Sequence, residues 1–205
     1  MTITDRIGWS VMTFFSLGVA GYAAFHVATD FVHLPPDVAR NAFASPYGLR
    51  VHITASAFAL ALGPFQFLRS LRTSAPWLHH WMGRFYIAAC LLGGLAGGAV
   101  AMYSSAGPAA GAGFLSLAVL WLACTSLAFA AVLRRDFVTH ERWMVRSFAL
   151  TLAAVTLRIY LPIGLMLHPG GFVLPYTIIA WLCWVPNLAL AELWLAVRRP
   201  SLSAV

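Results

Sequence analysis

The chain contains no lysine and little charge of any kind. Charged residues make up 9% of its 205 residues, and the 13 basic side chains are all arginines, against six acidic ones. Hydrophobic residues reach 61% and the mean hydropathy is +0.81, which lies well outside the usual balance of a soluble domain. The composition therefore excludes an ordinary soluble domain and indicates a polytopic membrane protein.

Motifs of nucleotide-driven and hydrolytic enzymes are also absent. The sequence has no Walker A loop, GxGxxG fingerprint, HExxH pair or nucleophile elbow. Its three cysteines, Cys90, Cys124 and Cys183, lack CxxC spacing, so we expect packing residues and no disulfide. Arginines that face anionic lipid explain the net charge of +7, and no nucleic-acid partner is expected.

Six apolar segments are each long enough to cross a bilayer. A hydrocarbon core about 30 Å thick requires about 20 helical residues. Helices are expected because lipid cannot satisfy free backbone groups and the segments lack the alternation of barrel strands. The sequence therefore predicts an all-α fold, one transmembrane domain over residues 1–205. Its six predicted spans are 7–29, 48–70, 81–103, 112–133, 144–167 and 172–197.

Arginines concentrate on alternate sides of these spans. They flank the second and fourth loops and follow the last span, at Arg69, Arg72, Arg84, Arg134, Arg135, Arg142, Arg146, Arg198 and Arg199. The third loop, 104–111, carries no charge, whereas the first loop is an exception with Arg40 and Arg50. The positive-inside rule then places both termini in the cytoplasm, and we expect a multi-pass protein of a bacterial inner membrane.

One motif occurs twice, about sixty residues apart. In each copy a histidine precedes Trp-Met-x-Arg, from His79 to Arg84 and from His140 to Arg146. Each copy follows an apolar segment and an arginine-bearing loop, so the pattern predicts a tandem parallel repeat of helical hairpins, spans 2 and 3 followed by spans 4 and 5. Two histidines and two arginines would then lie at one depth, with both histidines just before their helices.

These duplicated residues predict a ligand site on the cytoplasmic side. Haem sites in helical bundles need imidazoles on facing helices and arginines for the propionates. We expect His79 and His140 to be ligands of a haem b iron, or donors to a quinone-like molecule. Arg84 and Arg146 would hold anionic groups.

Other polar residues extend the candidate site or form a second one. Gln66 and Asn187 would supply donors to a quinone carbonyl on the cytoplasmic side. Arg158 lies within the fifth predicted span, where a charge is costly, and Pro162 cannot donate to its carbonyl. We expect Arg158 and His52 to form a separate outer polar site; alternatively, Arg158 snorkels to the interface.

Several other functions remain open at this stage. One alternative is that the histidines cap helices or contact lipid headgroups. Another is that histidines on the outer side bind zinc or copper. The protein is alternatively a lipid or small-molecule binder or transporter, or a non-catalytic accessory subunit of a larger membrane complex. Among these three classes of protein, an accessory subunit is favoured because six helices leave almost no extramembrane domain. The outer-side metal candidates are His26, His33, His52 and His168.

The third predicted span carries two glycine pairs, at 93–94 and 97–98. Such overlapping GxxxG patterns let another helix, or a flat cofactor, approach closely. With histidines on alternate spans, spans 2 to 5 resemble by topology the core of cytochrome b561-like membrane haem proteins. A second haem would need a partner for His52 on the fourth span, which contains no histidine.

A second likeness rests on several motifs between residues 50 and 194. They are His52, Leu62–Phe67, Leu78–His79 with Trp81–Tyr86, His140 with Arg142–Ser147, Thr156–Pro162, Trp184–Asn187 and Glu192. In these the chain is similar to an uncharacterised bacterial family of small six-helix membrane proteins with a domain of unknown function. The resemblance implies a membrane location and this fold, and it adds no activity.

Overall fold

The computed structural model describes residues 3–33, 40 and 44–197, and it is built from α-helices. In chain order these are α1 Ile3–Ala28, α2 Pro46–Gln66, α3 Arg69–Ser74, α4 Pro76–Ala101, α5 Pro108–Leu133, α6 Phe137–Thr151, α7 Ala153–Leu167, α8 Val173–Leu182 and α9 Val185–Val197. No strand occurs in these residues, so the all-α prediction is confirmed. Arg198 and Arg199, which contributed to the predicted orientation, lie outside the described residues.

Five helical segments are long and apolar enough to cross a membrane. They are Asp5–Ala28, Pro76–Ala101, Pro108–Leu133, Phe137–Leu167 and Val173–Val197. These segments correspond to five of the six predicted spans. The remaining prediction, 48–70, corresponds to α2, whose 21 residues reach about 31 Å. This helix is less apolar because it carries Arg50, His52 and Gln66, and its crossing of the membrane stays a prediction.

The expectation that both motif histidines precede their helices is wrong. His79 lies in the first turn of α4, which begins with Pro76, a residue whose fixed φ favours the first helical position. His140 lies in the first turn of α6, where the Asp136 side chain caps the helix by accepting from the backbone N–H of Thr139 at 3.0 Å. Hydrogen bonds from the side chain and backbone of Thr139 lower the pKa of the Asp136 carboxyl. A proline at the first helical position of α4 and a side-chain cap on α6 therefore start these helices earlier than hydropathy indicates.

Neighbouring helices run antiparallel, which defines two ends of the bundle. At one end the indole of Trp9 in α1 donates to the carbonyl of Pro64 in α2 at 2.9 Å. At the other end Arg50 of α2 pairs with Asp30, just after α1, at 2.5 Å. We call the first end, which carries both Trp-Met-x-Arg copies, the motif end, and the other the opposite end.

Two of the long segments are broken near their middle. Phe137–Leu167 is interrupted at Leu152, between α6 and α7, and Val173–Val197 is interrupted between α8 and α9. The second break follows from Pro186, which cannot donate to the carbonyl of Leu182. Both breaks expose backbone acceptors at membrane depth.

Side chains of α7 and α9 bind these exposed acceptors. The hydroxyl of Thr156 donates to the carbonyl of Cys183 at 2.5 Å. The amide of Asn187 donates to the Thr156 hydroxyl at 3.1 Å and to the carbonyls of Cys183 and Ala149 at 3.1 and 3.3 Å. Irregular backbone is tolerated in a membrane where neighbouring side chains satisfy it in this way.

A buried hydroxyl network joins α4, α5 and α6. The phenol of Tyr86, which has no exposed surface, lies 3.1 Å from the Ser147 hydroxyl and 3.0 Å from the Thr151 hydroxyl. Thr125 hydrogen bonds with Ser147 at 2.7 Å, and the indole of Trp121 donates to Thr151 at 2.9 Å. Because each polar group has a partner, the network fixes how these three helices pack.

Candidate functional site

The two motif copies form the same local contact. The guanidinium carbon of Arg84 lies 4.9 Å from the ring centroid of Trp81, and that of Arg146 lies 4.6 Å from the ring centroid of Trp143. Residues three apart are neighbours on a helix surface, so Trp-Met-x-Arg positions the cation over the indole. The shared geometry explains the motif, while the tandem repeat itself stays a prediction.

Two motif residues already have partners within the protein. Arg146 donates to both carboxylate oxygens of Glu192, through Nε at 2.5 Å and through a terminal nitrogen at 2.8 Å. Nδ1 of His140 lies 2.8 Å from the carbonyl of Ala128 in α5. An anionic ligand at Arg146 would therefore have to compete with Glu192.

Gln66 and His79 have buried polar atoms at the motif end. Nε2 of Gln66 and Nδ1 of His79 are buried without a hydrogen-bond partner among the described residues. The amide of Gln66 faces α4, where a Cβ added at Gly83 would lie 3.3 Å from its Oε1. The structure therefore places these two predicted residues at the same end of the bundle.

Asn187, by contrast, lies away from the motif end, at the break between α8 and α9. Its amide nitrogen has three protein acceptors, described above, within hydrogen-bond distance of its two N–H groups. We had expected it beside Gln66 and His79, but it lies about 7 Å further along the span than Glu192, at 1.5 Å per residue. Its contacts stabilise the broken helices.

The metal-site alternative receives no support. Across residues 3–33, 40 and 44–197, no three histidine, cysteine, aspartate or glutamate side chains form a group that could hold a metal ion. His26 is buried, and both of its ring nitrogens lack partners among these residues. It packs edge-on against Tyr22, with ring centroids 4.4 Å apart.

An apolar cavity lies between helices toward the opposite end of the bundle. Its volume is about 210 Å³, and residues of α1, α2, α4, α5, α6, α7 and α8 line it. Most of the lining side chains are aliphatic or aromatic. The polar side chains in its wall are His52, Ser56, Ser104, Thr151, Arg158 and Tyr176. An apolar pocket with a few convergent polar groups is the usual form of a small-molecule site.

Arg158 lies in the cavity wall and bends back along its own helix. One terminal nitrogen donates to the carbonyl of Ala154 at 2.9 Å, one turn toward the N-terminus of α7. Helical side chains lean toward the helix N-terminus, which here is toward the middle of the segment Phe137–Leu167. The guanidinium carbon lies 5.9 Å from the ring centroid of Tyr22 in α1. This geometry differs from the outward snorkelling considered as an alternative.

His52 lines the same cavity as Arg158. Its Nδ1 lies 2.8 Å from the carbonyl of Gly93 in α4, and its ring lies against Gly97. Because a carbonyl only accepts, Nδ1 carries the hydrogen, which leaves Nε2 of the neutral ring as an acceptor. The structure thus brings His52 and Arg158, expected together from their depth, into one cavity wall.

Three polar atoms in this wall are buried without a partner in the described part of the chain. They are Oγ of Ser56, Oγ of Ser104 and Nε of Arg158. Buried polar groups in native proteins are nearly always hydrogen-bonded, so these three atoms are candidate contacts for a ligand or water. Sequence reasoning missed both serines. Ser56 follows His52 by one helical turn, a signal that was available, whereas Ser104 lies in a loop with none.

The glycine pairs of α4 serve this cavity and helix packing. A Cβ at Gly93 would lie 3.0 Å from the Ser56 hydroxyl, and one at Gly94 would lie 2.8 Å from the Leu122 side chain. Gly93 lies about 21 Å along the helix from His79, at 1.5 Å per residue. The glycines therefore do not make room for a flat cofactor held by His79.

Comparison with known proteins identifies the family. The family model described as "Predicted membrane protein (DUF2306)" matches residues 49–195. The chain belongs to this family. The match begins in α2, ends in α9 and includes His52, Arg158 and both motif copies, so DUF2306 covers the cavity apart from its α1 wall. The resemblance to a family of unknown function is confirmed.

The remaining comparisons add no activity. No curated protein and no solved structure matches the chain. The likeness to cytochrome b561-like proteins therefore has no support beyond the sequence pattern. As a DUF2306 member with membrane-length apolar helices, the chain is an integral membrane protein in contact with the lipid bilayer.

Proposed function

We propose that the protein binds a small quinone-like molecule in the cavity lined by His52 and Arg158. One observation carries the proposal: an apolar cavity at membrane depth whose wall holds buried polar atoms without protein partners. Polar groups in lipid are costly, so their unpaired presence around a cavity indicates a functional site. The proposal concerns binding, and the redox partner of such a molecule is left open.

The size of the cavity selects the class of ligand. A cavity of about 150 Å³ lined by apolar side chains accommodates benzene. The present volume of about 210 Å³ therefore suits one substituted ring or two fused rings. A quinone headgroup has this size, whereas a haem macrocycle is much larger.

The polar groups suit the oxygens of such a ring. Arg158 has N–H donors for a carbonyl oxygen, and the Ser56 hydroxyl both donates and accepts. His52 offers Nε2 as an acceptor for a ring hydroxyl, because its Nδ1 is engaged by Gly93. The wall can therefore bind either a carbonyl or a hydroxyl, the two forms of a quinone oxygen.

We further propose a bacterial inner-membrane location with both termini in the cytoplasm. The arginines that flank the second and fourth loops lie at the motif end. Apart from Arg158 within α7, the only described arginines near the opposite end are Arg40 and Arg50. The positive-inside rule makes the motif end cytoplasmic. The cavity then lies in the outer half of the membrane.

Haem b binding at the motif end is a second candidate function. It is favoured by Nδ1 of His79, which is buried without a partner among the described residues, and by His140 at the same end. An absorption spectrum of protein purified from haem-sufficient cells tests it. A Soret band that shifts on dithionite reduction and disappears in His79→Ala supports haem, and a featureless visible spectrum contradicts it.

Quinone binding is tested by tryptophan fluorescence in lipid nanodiscs. Trp121 lies in the cavity wall, so a bound quinone ring should quench it. Titration with para-naphthoquinone should give a saturable component on top of the linear quenching due to partition into lipid. Ala57→Phe, which fills the cavity, should abolish that component.

A matched variant controls for changes in the lipid phase. Val51→Phe adds an aromatic ring on the same helix at a side chain that is 44% exposed, and it should retain saturable quenching. Linear quenching alone in the unmodified protein, or an equal saturable component in Ala57→Phe, would contradict the proposal.

A further inference from the structure

The groups around Arg158 leave its charge uncompensated. They come from α1, α2, α8 and the segment after α8, and among the described residues none is a carboxylate. They are Tyr22, His26, His52, Tyr176 and Cys183. The tyrosines and the cysteine are neutral, and the histidines are neutral or cationic. Among the described residues, this part of the bundle therefore carries positive charge with no fixed counter-charge.

The acidic side chains that the structure describes lie elsewhere. Asp5 is in the first turn of α1, about 25 Å along the helix from Tyr22. The others have identified partners: Asp30 with Arg50, Asp136 with Thr139, Glu141 with Arg72 and Glu192 with Arg146. The described acidic groups therefore do not supply an ion pair to Arg158.

Contacts within the protein satisfy the guanidinium only in part. The guanidinium carries five N–H groups. Within the described residues it makes one hydrogen bond, to the carbonyl of Ala154, and its Nε is buried without a partner. The Tyr22 ring, at 5.9 Å, lies near the limit of a cation–π contact. A guanidinium stays charged in proteins, and buried charges are normally paired.

The chemistry of the missing partner follows from this deficit. A neutral carbonyl oxygen accepts a hydrogen bond but leaves the charge in place. An ionised oxygen accepts stronger hydrogen bonds and also neutralises the charge. The forked guanidinium further favours two neighbouring oxygens, such as a ring enolate beside a carbonyl.

From these contacts we infer that the cavity selects an anionic ring compound, an aromatic or quinonoid ring that carries an ionised oxygen, with the anion at Arg158. The inference rests on the proposed function, because it names the ligand class of the same cavity. His52 would then accept from a hydroxyl elsewhere on the ring, and the apolar wall would contact the ring body.

A pair of probes with nearly the same shape tests this charge selection. Para-naphthoquinone is neutral, whereas lawsone, its hydroxylated analogue, is an anion at neutral pH. Binding of both is measured by saturable tryptophan quenching in zwitterionic nanodiscs. Lawsone should bind about tenfold more tightly or better, Arg158→Lys should keep that preference, and Arg158→Gln should bring the two dissociation constants together.

The outcomes separate the inference from the function on which it rests. If the unmodified protein binds both probes with equal affinity, or if folded Arg158→Gln keeps the preference for lawsone, the charge selection is overturned while quinone binding stands. If neither probe binds saturably, the proposed function itself fails. The comparison within the unmodified protein decides the question even if Arg158→Gln does not fold.

Discussion

Gly97 provides the space that the imidazole of His52 occupies. A Cβ at position 97 would lie 2.5 Å from Nδ1 of His52, far inside van der Waals contact. The absence of a side chain on α4 thus lets the ring lie flat against that helix and reach the carbonyl of Gly93. Small residues usually bring transmembrane helices together, and here the same device also positions a polar side chain.

Gly97→Ala should therefore displace His52 and weaken ligand binding. Overpacking of this kind costs about 1–3 kcal/mol, and the same loss of binding free energy would raise a dissociation constant roughly 5- to 150-fold. The measurement is saturable quenching by lawsone. Gly98→Ala is the matched control, because its nearest neighbours, Ala118 and Leu115, would lie at an ordinary 3.6 Å. Equal losses in both variants would rule out this role for Gly97.

Tyr86→Phe should destabilise the bundle without changing its helix content. The substitution removes the phenol that bonds to Ser147 and Thr151, and interhelical hydrogen bonds in membranes contribute about 0.6 kcal/mol each, up to about 1.7. We expect a loss of about 1–3 kcal/mol in the free energy of unfolding, measured by SDS titration in mixed micelles. The control is Tyr103→Phe, at a side chain that is 57% exposed. Equal stability of the two variants would argue against the network.

Asn187→Leu should separate the two broken segments. The variant keeps the side-chain volume approximately but removes the donor to Thr156 and to the carbonyls of Cys183 and Ala149. We expect a loss of about 1–2 kcal/mol in SDS unfolding and faster proteolysis near the break. Thr177→Val is the control, since among the described residues the Thr177 hydroxyl bonds only within its own helix turn, to Val173. If Asn187→Leu is as stable as that control, the bridge is unimportant.

A cysteine introduced at either end of the bundle should report the proposed orientation in the membrane through its labelling by an impermeant reagent. Cys90, Cys124 and Cys183 are buried, so background labelling of the chain should be low. Gly170→Cys, in an exposed loop at the opposite end, should react with an impermeant maleimide in intact bacteria. Ser74→Cys, exposed at the motif end, should react only after permeabilisation. The reverse pattern would invert the topology and place the cavity in the inner half of the membrane.

The sequence predicted well what depends on composition and depth. Long apolar runs predicted five segments that the structure contains as membrane-length helices. The shared depth of His52 and Arg158 predicted a common outer site; both residues line one cavity, and the site itself stays a prediction. The helix starts at His79 and His140 were missed because hydropathy treats a polar first turn as loop, although Pro76 and Asp136 fix it as helix.

Other features depend on how the helices rotate against one another. Tyr176 and Ser104 reach the cavity from α8 and from a loop, and no spacing within either segment points toward His52. The position of Asn187 was missed because the break before Pro186 changes which acceptors are free. The spacing of the Trp-Met-x-Arg motif predicts the contact between tryptophan and arginine. The sequence does not predict that the motif lies away from the cavity.

The central claim is that the ligand binds beside His52 and Arg158, away from the motif histidines. The most direct measurement is photolabelling in nanodiscs with an azido-naphthoquinone, followed by peptide mapping with and without excess lawsone. The account predicts labelling that lawsone competes away, confined to the segments that line the cavity and absent from the first turns of α4 and α6. Competed labelling in the first turns of α4 and α6, around His79 and His140, would contradict it.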